Sequence, residues 1–134
     1  MEVVDIKNKI LLLFLCLMLI VGLTYGAKYL YDLKIYKDKT SSLTISNIDL
    51  SKVKDGVYIG KYDAKLVAAK TKVTVKNGKI INIELLEHKN ERGKSAESIL
   101  SKVISSQSLN VDAVSGATNS SKIILKSIEN ALKE

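Results

Sequence analysis

One apolar block near the N-terminus divides any fold of this chain into a membrane part and a water-soluble part. Residues 10–23 are apolar almost without interruption, and lysines flank them on both sides. A helix that crosses a bilayer needs about 20 residues, and the window between Lys9 and Lys28 meets this length. The sequence therefore predicts an N-terminal flank at residues 1–9 and a transmembrane anchor at residues 10–27.

A cleaved signal peptide is the alternative to this anchor. A cleavage site needs small residues, but Tyr25 precedes Gly26 and Ala27 where a small residue is required. Tyr25, Tyr29 and Tyr31 fit an interfacial aromatic belt instead, which favours an uncleaved anchor. The single cysteine, Cys16, lies inside the apolar block; lipid attachment is disfavoured because bulky residues precede it.

The orientation and the segment after the anchor are less constrained. Lysines occur on both sides of the span, so charge alone gives no direction. Because a short N-terminal flank most often stays inside, we expect the C-terminal domain outside the cytoplasmic membrane. Residues 28–54 contain several serines and predict a tether, with a first strand or helix of the domain near residues 43–45 as the alternative.

The positive charge of the chain is dispersed. The formal net charge is +7, but the lysines are scattered singly and no base-stacking motif accompanies them. This pattern argues against nucleic acid as a partner. A membrane surface or a phosphate-bearing cofactor is the better match.

Residues 55–86 carry three strand patterns. The first is β-rich at residues 57–62, the second alternates at residues 71–75, and the third has isoleucine or leucine at every second position from Ile81. A two-residue Asn77-Gly78 turn would pair Val75 with Ile80 and turn Ile81 to the lysine face. We therefore predict a three-residue loop at residues 76–78, bulged at Gly78, which pairs Val73 with Ile81.

The apolar spacing then changes to that of helices. Ala96, Ile99, Leu100, Val103 and Ile104 follow Ser95, a candidate N-cap, and residues 107–111 predict a short strand or loop. A last helix has one apolar face formed by Ile123, Ile124, Ile128, Ala131 and Leu132. The predicted fold class is α+β: a small antiparallel sheet with two helices packed on it at residues 55–134, preceded by the transmembrane helix.

Directly before the last helix, residues 112–121 read DAVSGATNSS, a small and polar stretch. Such a turn presents unpaired backbone N–H groups at the positive end of the helix dipole, where a phosphate is favoured. Its hydroxyl groups are potential attachment points. The plain alternative is a capping turn without a ligand.

The same stretch resembles the signature of the FMN-binding domain family, in which FMN is joined through its phosphate to a threonine or serine. That domain occurs in the C subunit of the sodium-pumping NADH:quinone reductase, in the matching Rnf subunit and in small extracytoplasmic electron carriers. The resemblance covers about residues 55–134 and includes Asp55-Gly56-Val57-Tyr58, the hairpin, and Glu87-His88.

The resemblance implies that an FAD:protein FMN transferase, using magnesium, moves FMN from FAD onto an acceptor hydroxyl. By motif position the acceptor is Ser120, where many members have threonine, and Ser121 or Thr118 is the fallback. Asp112 would hydrogen-bond the turn or help to place the magnesium of the transferase. The other implied cofactor-binding residues are Ser115, Gly116, Ala117, Asn119 and, near the flavin ring, His88.

Three hypotheses follow for function. The first is a membrane-anchored extracytoplasmic flavoprotein that relays electrons between redox proteins or a quinone-linked membrane complex. The second is a module that binds FMN or a related ligand without a covalent bond and acts as a sensor or interaction domain. The third is a tethered structural domain. No set of nucleophile, base and orienting acid supports hydrolysis; Glu87, Glu91 and Arg92 are predicted to form a solvated loop.

Overall fold

The computed structural model describes residues 2–90 and 93–133. By its internal contacts the chain forms two compact units, Met1–Lys34 and Ile35–Glu134. The first unit is a helical segment. The second contains a three-stranded sheet and two helices.

The apolar block forms part of a long helix, α1 (Glu2–Ser41). Its apolar side chains are exposed on all sides from Val3 to Leu30, as expected of a surface that faces lipid. Among the described residues, α1 is the one helix long and apolar enough to cross a membrane. The predicted anchor at residues 10–27 lies within it.

The helix extends further than the predicted tether allows. No proline interrupts the chain, and α1 ends only at Ser41, where the Ser42 N–H and hydroxyl both donate to the Asp38 carbonyl. These bonds satisfy a carbonyl that the helix end leaves unpaired.

The chain after α1 packs on the domain instead of forming a free spacer. Five partly buried side chains contact the core: Leu43, Ile45, Ile48, Leu50 and Val53. The amide of Ser46 donates to Glu129, and Lys126 donates to the Thr44 carbonyl. Residues 42–53 are therefore part of the second unit, although they form no strand.

The sheet contains β1 (Gly56–Asp63), β2 (Ala68–Lys76) and β3 (Lys79–Lys89), antiparallel and in the order β1-β2-β3. The middle strand buries every second residue, from Ala69 through Thr71 and Val73 to Val75. This alternation is the period of two that places one face of a sheet on a core. The predicted antiparallel sheet is confirmed.

The predicted three-residue hairpin loop is wrong. Val75 lies opposite Ile80, so Asn77 and Gly78 alone form the turn, with φ of 53° and 69°. Positive φ at both central residues is the requirement of a type I′ turn, which matches the twist of the flanking strands. The hairpin turn therefore has no bulge at Gly78.

Two irregularities inside β3 correct the alternation instead. The register shifts opposite Thr74/Val75 and again opposite Lys70/Thr71, which leaves Ile81 and Leu86 as extra, exposed residues. Because each bulge moves the following residues to the other face, Ile80 and Ile83 both reach the core. Val73 consequently pairs with Ile83 and not with Ile81.

A 3-10 turn (Lys94–Ser98) leads into α2 (Ile99–Ser106). Ser95 lies inside that turn and makes no side-chain cap, so the predicted N-cap is wrong. The helix ends at Ser106 and is followed by Gln107 with φ of 53°, and the Gln107 side-chain amide pairs with both the N–H and the carbonyl of Ile80. This side chain occupies the free edge of β3, and residues 107–111 form the loop that was one of the two alternatives.

The last helix, α3 (Thr118–Lys133), packs across β1 and β2. Its predicted apolar face is confirmed, since the structure buries Ile123, Ile124, Ile128, Ala131 and Leu132. The closest approach is at Gly60, where an added Cβ would lie 2.1 Å from the Ser127 carbonyl oxygen and 2.3 Å from the Ala131 nitrogen. Only glycine fits this distance, so Gly60 fixes the position of α3 on the sheet.

Candidate functional site

The polar stretch before α3 forms a tight turn. The Ala117 N–H donates to the Val114 carbonyl at 3.0 Å, and Gly116 lies between them with φ of 77°. A turn with positive φ at its third residue favours glycine, because a Cβ would strain the backbone there. An added Cβ at Gly116 would meet no atom within 4 Å, so backbone conformation is the reason for this glycine.

The helix begins directly after the turn. Ala117 is buried and carries no side chain that could cap the helix, and the N–H groups of residues 118–120 precede the first intrahelical donor, which is Ser121. Unpaired amides and the positive end of the dipole make the start of a 16-residue helix favourable for an anion.

The hydroxyl of Ser121 holds this turn together. Its Oγ accepts a hydrogen bond from the Val114 N–H at 3.0 Å and donates to the Ala117 carbonyl at 2.8 Å. The side chain is fully buried. Because its single proton is already donated, Ser121 has a structural role that competes with its use as an attachment point.

Ser120 is one position earlier and points elsewhere. The residue is 6% exposed, and its Oγ lies against Gly93, so close that an ideal Cβ on Gly93 would be 1.9 Å from it. Ser120 therefore faces the segment that follows β3. The contact joins two parts of the chain that are far apart in sequence.

The end of β3 supplies a second group of polar side chains beside Gly93. The His88 side chain is 3% exposed, and its Nδ1 lies 3.1 Å from Glu97 Oε1. Asn90 Nδ2 donates to the His88 carbonyl at 3.3 Å, and Asn90 Cβ lies 3.7 Å from the ideal Cβ position on Gly93. His88, Asn90 and Gly93 thus form one continuous wall.

One atom of this wall has no partner. Among the described residues, His88 Nε2 is the one buried side-chain nitrogen or oxygen without a hydrogen bond. The tautomer is assigned from the contacts: Nδ1–H donates to Glu97, and in the neutral ring Nε2 then presents a lone pair. A buried acceptor without a donor is costly, so this nitrogen is available to a donor from a water molecule or a ligand.

Several other predicted site residues lie on the surface. Ser115, Gly116, Thr118 and Asn119 are exposed at the turn and the first helical residues. Asp112 is exposed and lines an open groove with Ser101, Lys102, Ser105, Ser106, Asn110 and Val111, on the α2 side.

The predicted solvated loop is wrong for Glu87, which lies in β3 opposite Lys70; its side chain is exposed and lies 3.7 Å from the Lys70 amine. Glu91 and Arg92 lie outside the described residues. Sequence reasoning missed Gly93, Asn90 and Glu97. The one signal for them was the change of apolar period at Gly93, which marks a boundary but gives no contact.

Comparison with protein families identifies a known domain in this part of the chain. Residues 68–133 match the model of the FMN-binding domain. This part of the chain belongs to the FMN-binding domain family. The FMN-binding match runs from the start of β2 to the end of α3 and includes His88, Gly93 and Ser120. Comparisons with curated proteins and with solved structures give no significant match.

Two features of the FMN-binding domain bear on whether its residues fit FMN. Gly93 lacks the side chain that would fill the space beside the hydroxyl, and His88 Nε2 is buried without a donor. The residues present therefore fit FMN. The N-terminal helix that could cross a membrane belongs to the same chain.

Proposed function

We propose that the FMN-binding domain carries FMN covalently, as a phosphoester of Ser120, and relays electrons between redox partners. The observation that supports this most directly is the position of Ser120 Oγ. It lies in the first turn of α3, inside the family match and against a glycine at the end of the β3 segment. Ser121 is a weaker candidate because its hydroxyl is engaged in the turn, and Thr118, which is exposed, is the fallback by its position in the motif.

The attachment step is balanced with FAD as the co-reactant. The Ser120 Oγ–phosphorus bond forms while the pyrophosphate linkage of FAD breaks, AMP leaves with the electron pair, and the hydroxyl proton passes to base or solvent. An FAD:protein FMN transferase with magnesium would carry out the transfer. Once bound, the isoalloxazine ring supplies the redox chemistry.

The residues of the chain would hold the product in place. A phosphodiester beside the free amides at the start of α3 would gain about 0.3 to 1 kcal/mol from the helix dipole. Gly116 gives the backbone the turn that aims these amides. Asp112 would hydrogen-bond the turn or help to place the magnesium of the transferase, and the His88 ring would accept a hydrogen bond from the ligand.

The membrane helix would determine where the flavin works. With the short N-terminal flank inside, the domain lies outside the cytoplasmic membrane. There it would exchange electrons with redox proteins or with a quinone-linked membrane complex.

Co-expression of the full chain with a flavin transferase tests the attachment. We expect flavin fluorescence that survives denaturation and a mass increase of one FMN less one water. Ser120→Ala should lose the adduct completely, while Ser121→Ala should retain it. No adduct on the unsubstituted chain would refute the covalent function.

The same experiment distinguishes covalent attachment of FMN from non-covalent binding. A sensor or interaction module would hold FMN under native conditions but release it on denaturation, with no mass increase. An adduct retained in Ser120→Ala and lost in Thr118→Ala or Ser121→Ala would move the attachment to that residue.

A further inference from the structure

Gly93 is a glycine for reasons of space and not of backbone conformation. Its φ of −99° and ψ of 16° lie in a range that other residues also adopt. An ideal Cβ, however, would lie 1.9 Å from Ser120 Oγ and 2.6 Å from Ser120 Cβ. Gly116 is the opposite case, with positive φ and open space around it.

The space that Gly93 leaves is occupied by the Ser120 oxygen. The ideal Cβ position on Gly93 lies within 4 Å of both Ser120 and the Asn90 Cβ, and Asn90 in turn contacts His88. Ser121 Oγ has no comparable freedom, because it bonds to Val114 and Ala117 at the same time.

We propose that Gly93 is a specificity-determining residue for flavin attachment, because the missing side chain gives Ser120 Oγ the room it needs when it carries a phosphate. This inference rests on the proposed function and adds a residue outside the motif at 112–121. The ligand class is a phosphate ester. A methyl group at residue 93 would lie 1.9 Å from Ser120 Oγ and 2.6 Å from Ser120 Cβ, so a new rotamer of Ser120 does not relieve the clash. The start of α3 and the segment at Gly93 must move apart, which displaces the hydroxyl from the position in which the transferase meets it.

Gly93→Ala tests this in the full chain, with Gly56→Ala as the matched control. Gly56 is also outside any helix, and an added Cβ there meets its nearest atom at 3.5 Å, an ordinary contact. After equal treatment with transferase, FAD and magnesium, we expect the adduct of Gly93→Ala to fall at least about tenfold, equivalent to about 1.4 kcal/mol. Gly56→Ala should be modified like the unsubstituted chain.

Thermal unfolding of both variants accompanies the mass measurement. A folded Gly93→Ala with unchanged adduct formation overturns the inference and leaves the proposed function standing. If the unsubstituted chain forms no adduct, both the inference about Gly93 and the proposed covalent function are refuted. A folded Gly93→Ala with the expected loss supports the inference.

Hydrogen exchange of the unsubstituted chain provides a test that does not depend on a variant that folds. Unmodified and flavin-bearing protein are compared by mass spectrometry, peptide by peptide. We expect the attached group to slow exchange in peptides that contain Gly93 as an internal residue and to leave those of β1 unchanged. Unchanged exchange at Gly93 would show that the ester faces another part of the surface and would overturn the inference.

Discussion

Glu129 carries a buried charge, and its replacement by glutamine tests how much that charge contributes to the stability of the fold. The carboxylate is fully buried on α3. It forms ion pairs with Lys126, at 3.0 Å, and with Lys133, and accepts the Ser46 N–H at 3.2 Å. Burial alone would raise its pKa, but the hydrogen bonds from the two lysines and from Ser46 hold the pKa below the ordinary value of 4.5.

Glu129→Gln keeps the shape but removes the charge. Breaking a buried ion pair costs about 3 to 5 kcal/mol. The lysine side chains are 21% and 51% exposed, so after the substitution they can reach water. We therefore expect a smaller loss of unfolding free energy, about 2 kcal/mol, near the value of a hydrogen bond to a charged group. Urea unfolding of the full chain in mild detergent, followed by tyrosine fluorescence, measures it.

The pH dependence gives an independent check. A carboxylate with a lowered pKa in the folded state stabilises that state above its unfolded pKa, and this contribution is lost as the pH falls through the folded pKa. The difference between Glu129→Gln and the unsubstituted chain should thus be largest at neutral pH and shrink below about pH 4.5.

Glu84→Gln is the matched control, because Glu84 forms a 2.8 Å ion pair with Lys72 on the exposed face of the sheet. A surface pair contributes less than about 1 kcal/mol. Equal losses for the two variants, or a Glu129 effect that does not change with pH, would refute the reasoning.

Three further substitutions test the packing. Gly60→Ala should cost about 1 to 3 kcal/mol of unfolding free energy, because its Cβ collides with the backbone of α3 at Ala131; thermal unfolding measures it. Ser121→Ala should cost about 1 to 3 kcal/mol by leaving a buried turn amide unpaired, while the mass adduct is retained. Gln107→Ala should cost about 1 kcal/mol and speed amide exchange at Ile80, the edge residue that it covers; unchanged exchange there would contradict this role.

The hairpin shows how much of the sheet the apolar periodicity of the sequence predicts. The apolar alternation along residues 71–86 predicts two paired strands with one buried face, and these are present. Two adjacent apolar pairs in β3, at residues 80–81 and 85–86, conflict with a strict period of two. Some bulge is therefore required, but the sequence does not say which member of each pair is extruded. That choice depends on which side chains fill the space under α3, a tertiary property.

The candidate site likewise has local features that the sequence predicts and tertiary contacts that it does not. The turn chemistry at Gly116 and the start of α3 are local, so the sequence predicts both. Neighbouring serines 120 and 121 are chemically alike, and only the rotation of the helix separates them, turning one hydroxyl into the Val114 turn and the other toward Gly93. The contact with Gly93 joins segments 27 positions apart, so no local pattern reveals it.

The way α3 is held explains why its first turn can serve as a precise site. In the C-terminal half of α3, Gly60 brings the backbone of β1 into direct contact with Ser127 and Ala131, and between these two residues Glu129 accepts a hydrogen bond from the Ser46 amide. The helix is thus fixed to the sheet and to the chain that follows α1. Because an α-helix is stiff over a few turns, these two attachments also determine where Ser120 lies. A substitution at Gly60 that shifts α3 should therefore lower flavin attachment even though it changes no atom of the site.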